Sequence, residues 1–157
     1  MKLILSLSVF VLAATSSLAL AYPSVEQNYS ASVSEARRLQ SLSGFELNAE
    51  AYLFARDVRR MGGDFERAKF ASEMSSLGGE SFAVYKDAYA FAEKVRFVMG
   101  EFARAEFAAG AACALNPLLY LAIYKSAYAF ALETRHLALD FDRDQYAGEQ
   151  ARLGSGN

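Results

Sequence analysis

Cysteine, histidine, tryptophan and proline are nearly missing from this chain: its 157 residues hold one Cys, one His, two Pro and no Trp. One Cys and one His cannot build an all-protein Cys/His zinc cage, and a single thiol cannot close a bridge within the chain. There is no basic excess either. Sixteen Lys and Arg face eighteen Asp and Glu, for a net charge of −2 and a pI near 5.5. That balance withholds the positive footprint on which nucleic-acid binding depends. No glycine-rich phosphate loop of the Walker type and no G-x-S-x-G nucleophile elbow occurs. No cofactor, no metal site and no enzymatic activity is therefore expected.

What is present begins with an apolar N-terminus. Met1-Lys2 carries one charge, Leu3 to Leu12 is apolar apart from Ser6 and Ser8, and Ala19-Leu20-Ala21 has small residues where a signal peptidase reads. Residues 1–21 are expected to be a signal peptide cleaved before Tyr22, because the apolar core is shorter than the ~20 residues a spanning helix needs. Removing 21 residues of 157 leaves 136, and the loss of Lys2 moves the net charge from −2 to −3. The expected location is extracellular. Residues 22–31 read as a disordered leader, 32–153 as one helical domain and 154–157 as a disordered tail.

An internal repeat organises the domain. The frame A-Y-x-F-A occurs at Ala51–Ala55, Ala88–Ala92 and Ala127–Ala131, and Arg59, Arg96 and Arg135 follow at one offset. The same offsets bring Asp64-Phe65-Glu66-Arg67 onto Glu101-Phe102-Ala103-Arg104 and Asp140-Phe141-Asp142-Arg143, with spacings of 37 and 39 residues. This period suits helical repeats, but the Trp and tail Pro of tetratricopeptide units and the T-P-L-H of ankyrin units are missing. The units run at about 44–79, 80–116 and 117–153.

Each unit reads as helix. Val84, Ala88, Phe91, Val95, Val98, Phe102 and Ala105 step by four and three, an apolar seam that stays in phase past Gly100. The other units repeat it, through Phe54, Val58, Met61 and Phe65 and through Phe130, Thr134, Leu137 and Phe141. The expected fold is all-α: three long amphipathic helices, kinked at Gly62-Gly63 and Gly100 where needed, packed as an antiparallel bundle with a short N-terminal helix. A helical hairpin per unit, broken at Gly62-Gly63, is the alternative. Ser32-Val33-Ser34-Glu35 and Ser43-Gly44-Phe45-Glu46 read as capping boxes, Gly78-Gly79 closes the first unit, and Asn116-Pro117 opens the third. The uncharged run Phe107 to Tyr124 is divided by Gly110, Asn116 and Pro117, which argues against membrane insertion.

Few residues carry chemistry. Asp140-x-Asp142-x-Asp144 resembles the opening of a calcium loop, yet Gln145 stands where the sharp turn needs Gly and Ala151 where the bidentate Glu belongs. Those carboxylates are expected on a helix surface, and His136 is expected in solvent. Asn28-Tyr29-Ser30 is an N-glycosylation acceptor triplet. Cys113 lies among alanines and reads first as a packed small side chain; the alternative is an intermolecular disulfide. One stripe stands apart, about 100° round from the seam. Tyr85, Tyr89 and Arg96 recur as Tyr124, Tyr128 and Arg135, and more weakly as Asn48, Tyr52 and Arg59. As a core edge it would bury the rings; as a contact face it would present the Tyr and Arg favoured at interfaces.

Three functional classes remain. The first is a secreted non-enzymatic repeat protein acting by protein–protein contact or self-association, its partner itself or another extracellular protein. The second is a carrier of an apolar small molecule or lipid held in the bundle. The third rests on Arg37-Arg38-Leu39-Gln40, which is similar to the R-x-L-R entry region of oomycete effectors and implies a secreted effector with a helical body. Gln40 departs from that motif, and no acidic D-E-E-R element follows it.

Overall fold

A computed structural model describes residues 22–96, 98 and 100–156. The signal peptide expected at 1–21 lies outside the described residues. The chain is all-α, with seven helices and no strand among the described residues. They are α1 Val25–Gln40, α2 Gly44–Asp57, α3 Asp64–Leu77, α4 Gly79–Lys94, α5 Glu101–Ala112, α6 Pro117–Glu133 and α7 Asp140–Ser155. None is long and apolar enough to cross a membrane.

Each expected long helix is therefore two. Helices α2 and α3, α4 and α5, and α6 and α7 pack as three antiparallel hairpins, the alternative arrangement weighed above. The breaks come before the glycines, not at them. In the first hairpin Val58 and Arg59 both donate to Phe54 O, and Met61 donates to Ala55 O at 2.9 Å. In the third, Thr134 and Arg135 donate to Phe130 O, and Leu137 to Ala131 O at 2.9 Å. The second follows the same pattern, with Val95 and Arg96 on Phe91 O and Val98 on Ala92 O. Arg60 and His136 take left-handed backbone conformations, with φ of 56° and 55°. That conformation is unfavourable for a non-glycine residue, and here the turns are held from outside. Arg67 Nε donates to Met61 O and Arg143 Nε to Leu137 O, both at 2.6 Å. His136 thus occupies a turn position whose geometry His tolerates better than most side chains.

The break removes half of the expected seam from the core. Phe65, Phe102 and Phe141 are 80%, 79% and 72% exposed, each two residues into the second helix of its hairpin. The core is built around Phe54 and Phe91 instead. Phe54 is ringed by Phe70, Phe82, Tyr85 and Tyr89 at centroid distances of 5.8–6.2 Å. Phe91 meets Phe107, Tyr124 and Tyr128 at 5.6–6.4 Å. Alanines Ala51, Ala55, Ala88, Ala92 and Ala131, fully buried, let the paired helices approach these rings.

Helix α1 starts earlier than expected. Residues 25–31 of the expected leader are its first two turns, opened by a capping box in which Ser24 Oγ accepts from Gln27 N–H and Gln27 Oε1 accepts from Ser24 N–H. The box expected at Ser32 does not form, because Ser32 lies mid-helix and its hydroxyl donates to Asp87 Oδ2 at 2.7 Å. The box at Ser43 with Glu46 does form. Pro117 stands at the start of α6, while Asn116 donates its side-chain amide to Ser155 O at 2.7 Å. Gly154 and Ser155 of the expected tail complete α7.

Helix α1 packs against both α4 and α6. The contact is mostly polar. Asn28 Nδ2 donates to Ser126 Oγ at 2.9 Å and Ser126 Oγ to Pro23 O at 2.9 Å, while the Asp87 that accepts from Ser32 is also paired with Lys125 of α6 at 3.0 Å. Further along, Lys86 pairs with Glu35 at 2.6 Å and with Glu50 at 3.4 Å, and Arg38 bridges the same two carboxylates. Hydrogen bonding to Arg38, then to Lys86, holds the Glu35 carboxyl down at about 2. At the end of α1 the packing is backbone on backbone, since a Cβ on Gly79 would lie 2.4 Å from Gln40 N. Gly78 before it, at φ 94°, makes the turn between α3 and α4.

Candidate functional site

Three arginines at one offset mark the hairpins, and two of them tie neighbours together. Arg59, at the end of α2, lies 4.8 Å over the Phe70 ring and 5.8 Å over Tyr85. It reaches Glu101, the first residue of α5, at 2.6 Å. Arg96, at the end of α4, repeats this one hairpin later: 4.6 Å over Phe107, 5.9 Å over Tyr124, and 3.4 Å from both Asp140 and Asp144 at the start of α7. Each of these two guanidinium groups therefore stacks on a ring of its own hairpin, on a Tyr of the next, and on an acid that opens the next hairpin's second helix. Stacking plus a charge-assisted contact, from arginine side chains only 12% and 10% exposed, makes each a strong inter-hairpin link.

The acids are oriented by tyrosines. Tyr128 donates to Asp140 Oδ1, which leaves Oδ2 toward Arg96, and Tyr124 donates to Asp144 Oδ1 at 2.6 Å. Burial pushes the Tyr124 phenol up, and its bond to the Asp144 carboxylate pushes it further. The same order of causes, burial before Asp140, raises Tyr128. Tyr85 is raised by burial. The carboxylates that resembled a calcium loop are thus occupied in part: Asp140 and Asp144 serve Tyr128, Tyr124 and Arg96.

Of the two readings of the Tyr and Arg stripe, these contacts favour the core edge over the contact face. Tyr85, Tyr89, Tyr124 and Tyr128 are 2% exposed or less, because each hairpin covers the Tyr face of the next. Arg59 and Arg96 go in with them. Tyr52 is half-buried and donates to Asp64 Oδ1, and Arg135 alone of the three stripe arginines is exposed, lying 4.7 Å over Tyr146. Two further corrections concern modification. Cys113, expected as a packed side chain, is exposed at the end of α5. Asn28 is buried in α1 with its amide held by Ser126, so a glycan there would have to displace that helix. In the effector-like stretch, Leu39 is fully buried and Arg38 is paired with Glu35 and Glu50.

What sequence reasoning missed is the turn edge. Because Arg59 reaches Glu101 and Arg96 reaches Asp140, the three hairpin turns line up along one side of the array. Phe65, Phe102 and Phe141 stand along it, joined by Val58, Val95 and Leu139, which are 46%, 38% and 64% exposed. The signal was available in the block that follows each acid, but an unbroken helix would have turned those phenylalanines inward. Between α3 and α5 runs an open groove of about 710 Å³, lined by Phe65, Met74, Leu77, Ala109 and Cys113 among others. Comparison of the chain with protein-family models, curated proteins and solved structures finds no match.

Proposed function

We propose that this is a secreted, non-enzymatic helical-repeat protein whose three hairpins present a surface for contact with other proteins. The observation that carries the reading is the edge of Phe65, Phe102 and Phe141. One exposed Phe on a surface needs no explanation, but three at one offset, along one side, form the kind of apolar row that marks an interaction site. Covering a single Phe is worth about 1.5–3 kcal/mol of transfer free energy, so a partner gains in proportion to how many hairpins it spans. Among the described residues the edge has no ionisable constellation aimed into a closed pocket, and its groove is open to solvent. The partner class is another extracellular protein with an apolar face.

Native mass spectrometry of the protein recovered from its source tests this. An assembly containing a second polypeptide is expected, and the triple variant Phe65→Ser, Phe102→Ser, Phe141→Ser is expected to return to a bare chain while keeping its helical circular dichroism. A bare chain from the unmodified protein refutes the reading. A small apolar mass retained on the chain would instead favour the carrier reading, with the groove between α3 and α5 as its site.

A further inference from the structure

The Arg link is made twice inside the array, and each end of the array is left with one half of it. Arg59 finds Glu101 in the second hairpin, and Arg96 finds Asp140 in the third. Arg135 stands at the same offset in the third hairpin, with no further hairpin after it among the described residues. Its guanidinium stacks on Tyr146, as Arg59 does on Phe70 and Arg96 on Phe107, and it makes no ion pair among the described residues. Asp64 stands where Glu101 and Asp140 stand but has no preceding hairpin among the described residues to send it an Arg. Tyr52 donates to its Oδ1, as Tyr128 does to Asp140 Oδ1, and its other oxygen has no ion pair among the described residues. Both residues are exposed.

We propose that a second copy of this chain supplies the missing halves: Arg135 of one copy pairs with Asp64 of the next, head to tail. The inference rests on the contact reading above and names one partner for it. Charge complementarity commits the occupant, because the third hairpin offers a stacked cation and the first offers a Tyr-oriented carboxylate, each a copy of a half already joined within the array. The Phe130 ring at the open end is partly covered, by Tyr146 at 6.2 Å and by Tyr22 at 5.7 Å, so charge rather than bare aromatic surface is what the end presents. The contact joins different surfaces of the two copies. It therefore does not close on itself as a two-fold dimer does, and it continues into an open chain of copies or a ring.

Sedimentation velocity over a wide concentration range, on the protein beginning at Tyr22, tests the proposal. The unmodified protein is expected to show a mass average that climbs with concentration past the dimer. Arg135→Glu and Asp64→Arg each put like charges together at the contact, and each is expected to weaken association on the order of 100-fold. An equimolar mixture of the two variants is expected to recover it, since the carboxylate introduced in one and the guanidinium introduced in the other then pair in reversed sense. A merely structural role for either residue would give no recovery on mixing. Association that ignores both substitutions overturns the head-to-tail contact and leaves the general contact reading standing. A chain that stays monomeric to its solubility limit overturns it as well, and the general reading is then decided by the source-material assay alone.

Discussion

Two glycine-to-alanine changes, identical in chemistry, should move stability in opposite directions. At Gly79 a Cβ would sit 2.4 Å from Gln40 N and Leu39 C and 2.6 Å from Leu39 O. Ordinary contact is about 3.5–4.0 Å, so the end of α1 must back away by about 1 Å. The obstacle is backbone and cannot swing aside, and Leu39 in that turn is fully buried. Overpacking of this kind costs about 1–3 kcal/mol, and the upper half of that range is expected. At Gly110, an exposed site inside α5, a Cβ meets nothing within 4 Å. There alanine lowers the entropy of the unfolded chain and should stabilise by about 0.5–1 kcal/mol. In thermal unfolding followed by circular dichroism, Gly79→Ala should lower Tm by roughly 3–10 °C and Gly110→Ala should raise it by a few. A Gly79→Ala protein that melts at or above the unmodified one would refute the close docking of α1. A Gly110→Ala protein that melts below it would refute the helical, open setting assigned to that residue.

Three other outcomes are expected. Arg96→Ala removes a cation from between two rings and two carboxylates and should cost about 2–3 kcal/mol in urea unfolding, whereas Arg135→Ala should cost no more than about 0.5 kcal/mol; equal costs would contradict the inter-hairpin link. The Glu35 carboxyl is held down at about 2 from an ordinary 4.5, first by Arg38 and then by Lys86. Its contribution is therefore present above pH 4.5 and lost as pH falls toward 2. Solvent exposure keeps that contribution small, and Glu35→Gln should flatten part of the acid limb of the urea-midpoint profile; an unchanged limb would count against the pairing. Tyr85 and Tyr124 are pushed up by burial, so the stability they supply is complete below about pH 10 and is lost as pH rises. Their ionisation should coincide with loss of helical circular dichroism in an alkaline titration, and ionisation of all nine tyrosines in a fully helical protein would overturn their placement.

Helix type and the turns between units were legible in local chemistry. Ser43 with Glu46 closes a capping box, Gly78 carries a positive φ, and Pro117 starts a helix, and each needs only its near neighbours. The turns within units were not legible, because they use Arg60 and His136 in a glycine's conformation and depend on Arg67 and Arg143 reaching back to backbone carbonyls. A seam that stayed in phase through Gly100 therefore read as one helix where there are two. The same limit hid α1. Asn28 and Ser32 look like leader or cap residues, and only Ser126 and Asp87, far along the chain, show why a helix buries them. The offsets of the Tyr and Arg stripe are legible, but they leave a core edge and a contact face equally open. Offsets tell which residues recur; whether a recurring face is covered depends on the neighbouring hairpin, which a single unit does not contain.

The docking of α1 also orders events during synthesis. Helix α1 is translated ahead of groups that hold it, Asp87 on α4 and Ser126 on α6; Asn28 precedes Ser126 by 98 residues. At about 5–20 residues per second, α1 waits for seconds while the first two hairpins emerge. Its own apolar complement is small, with Ala36 and Leu39 its buried apolar residues, so it can stay in water over that interval without a hydrophobic surface that invites aggregation. The polarity of the α1 contact suits a segment that must remain soluble until its site exists.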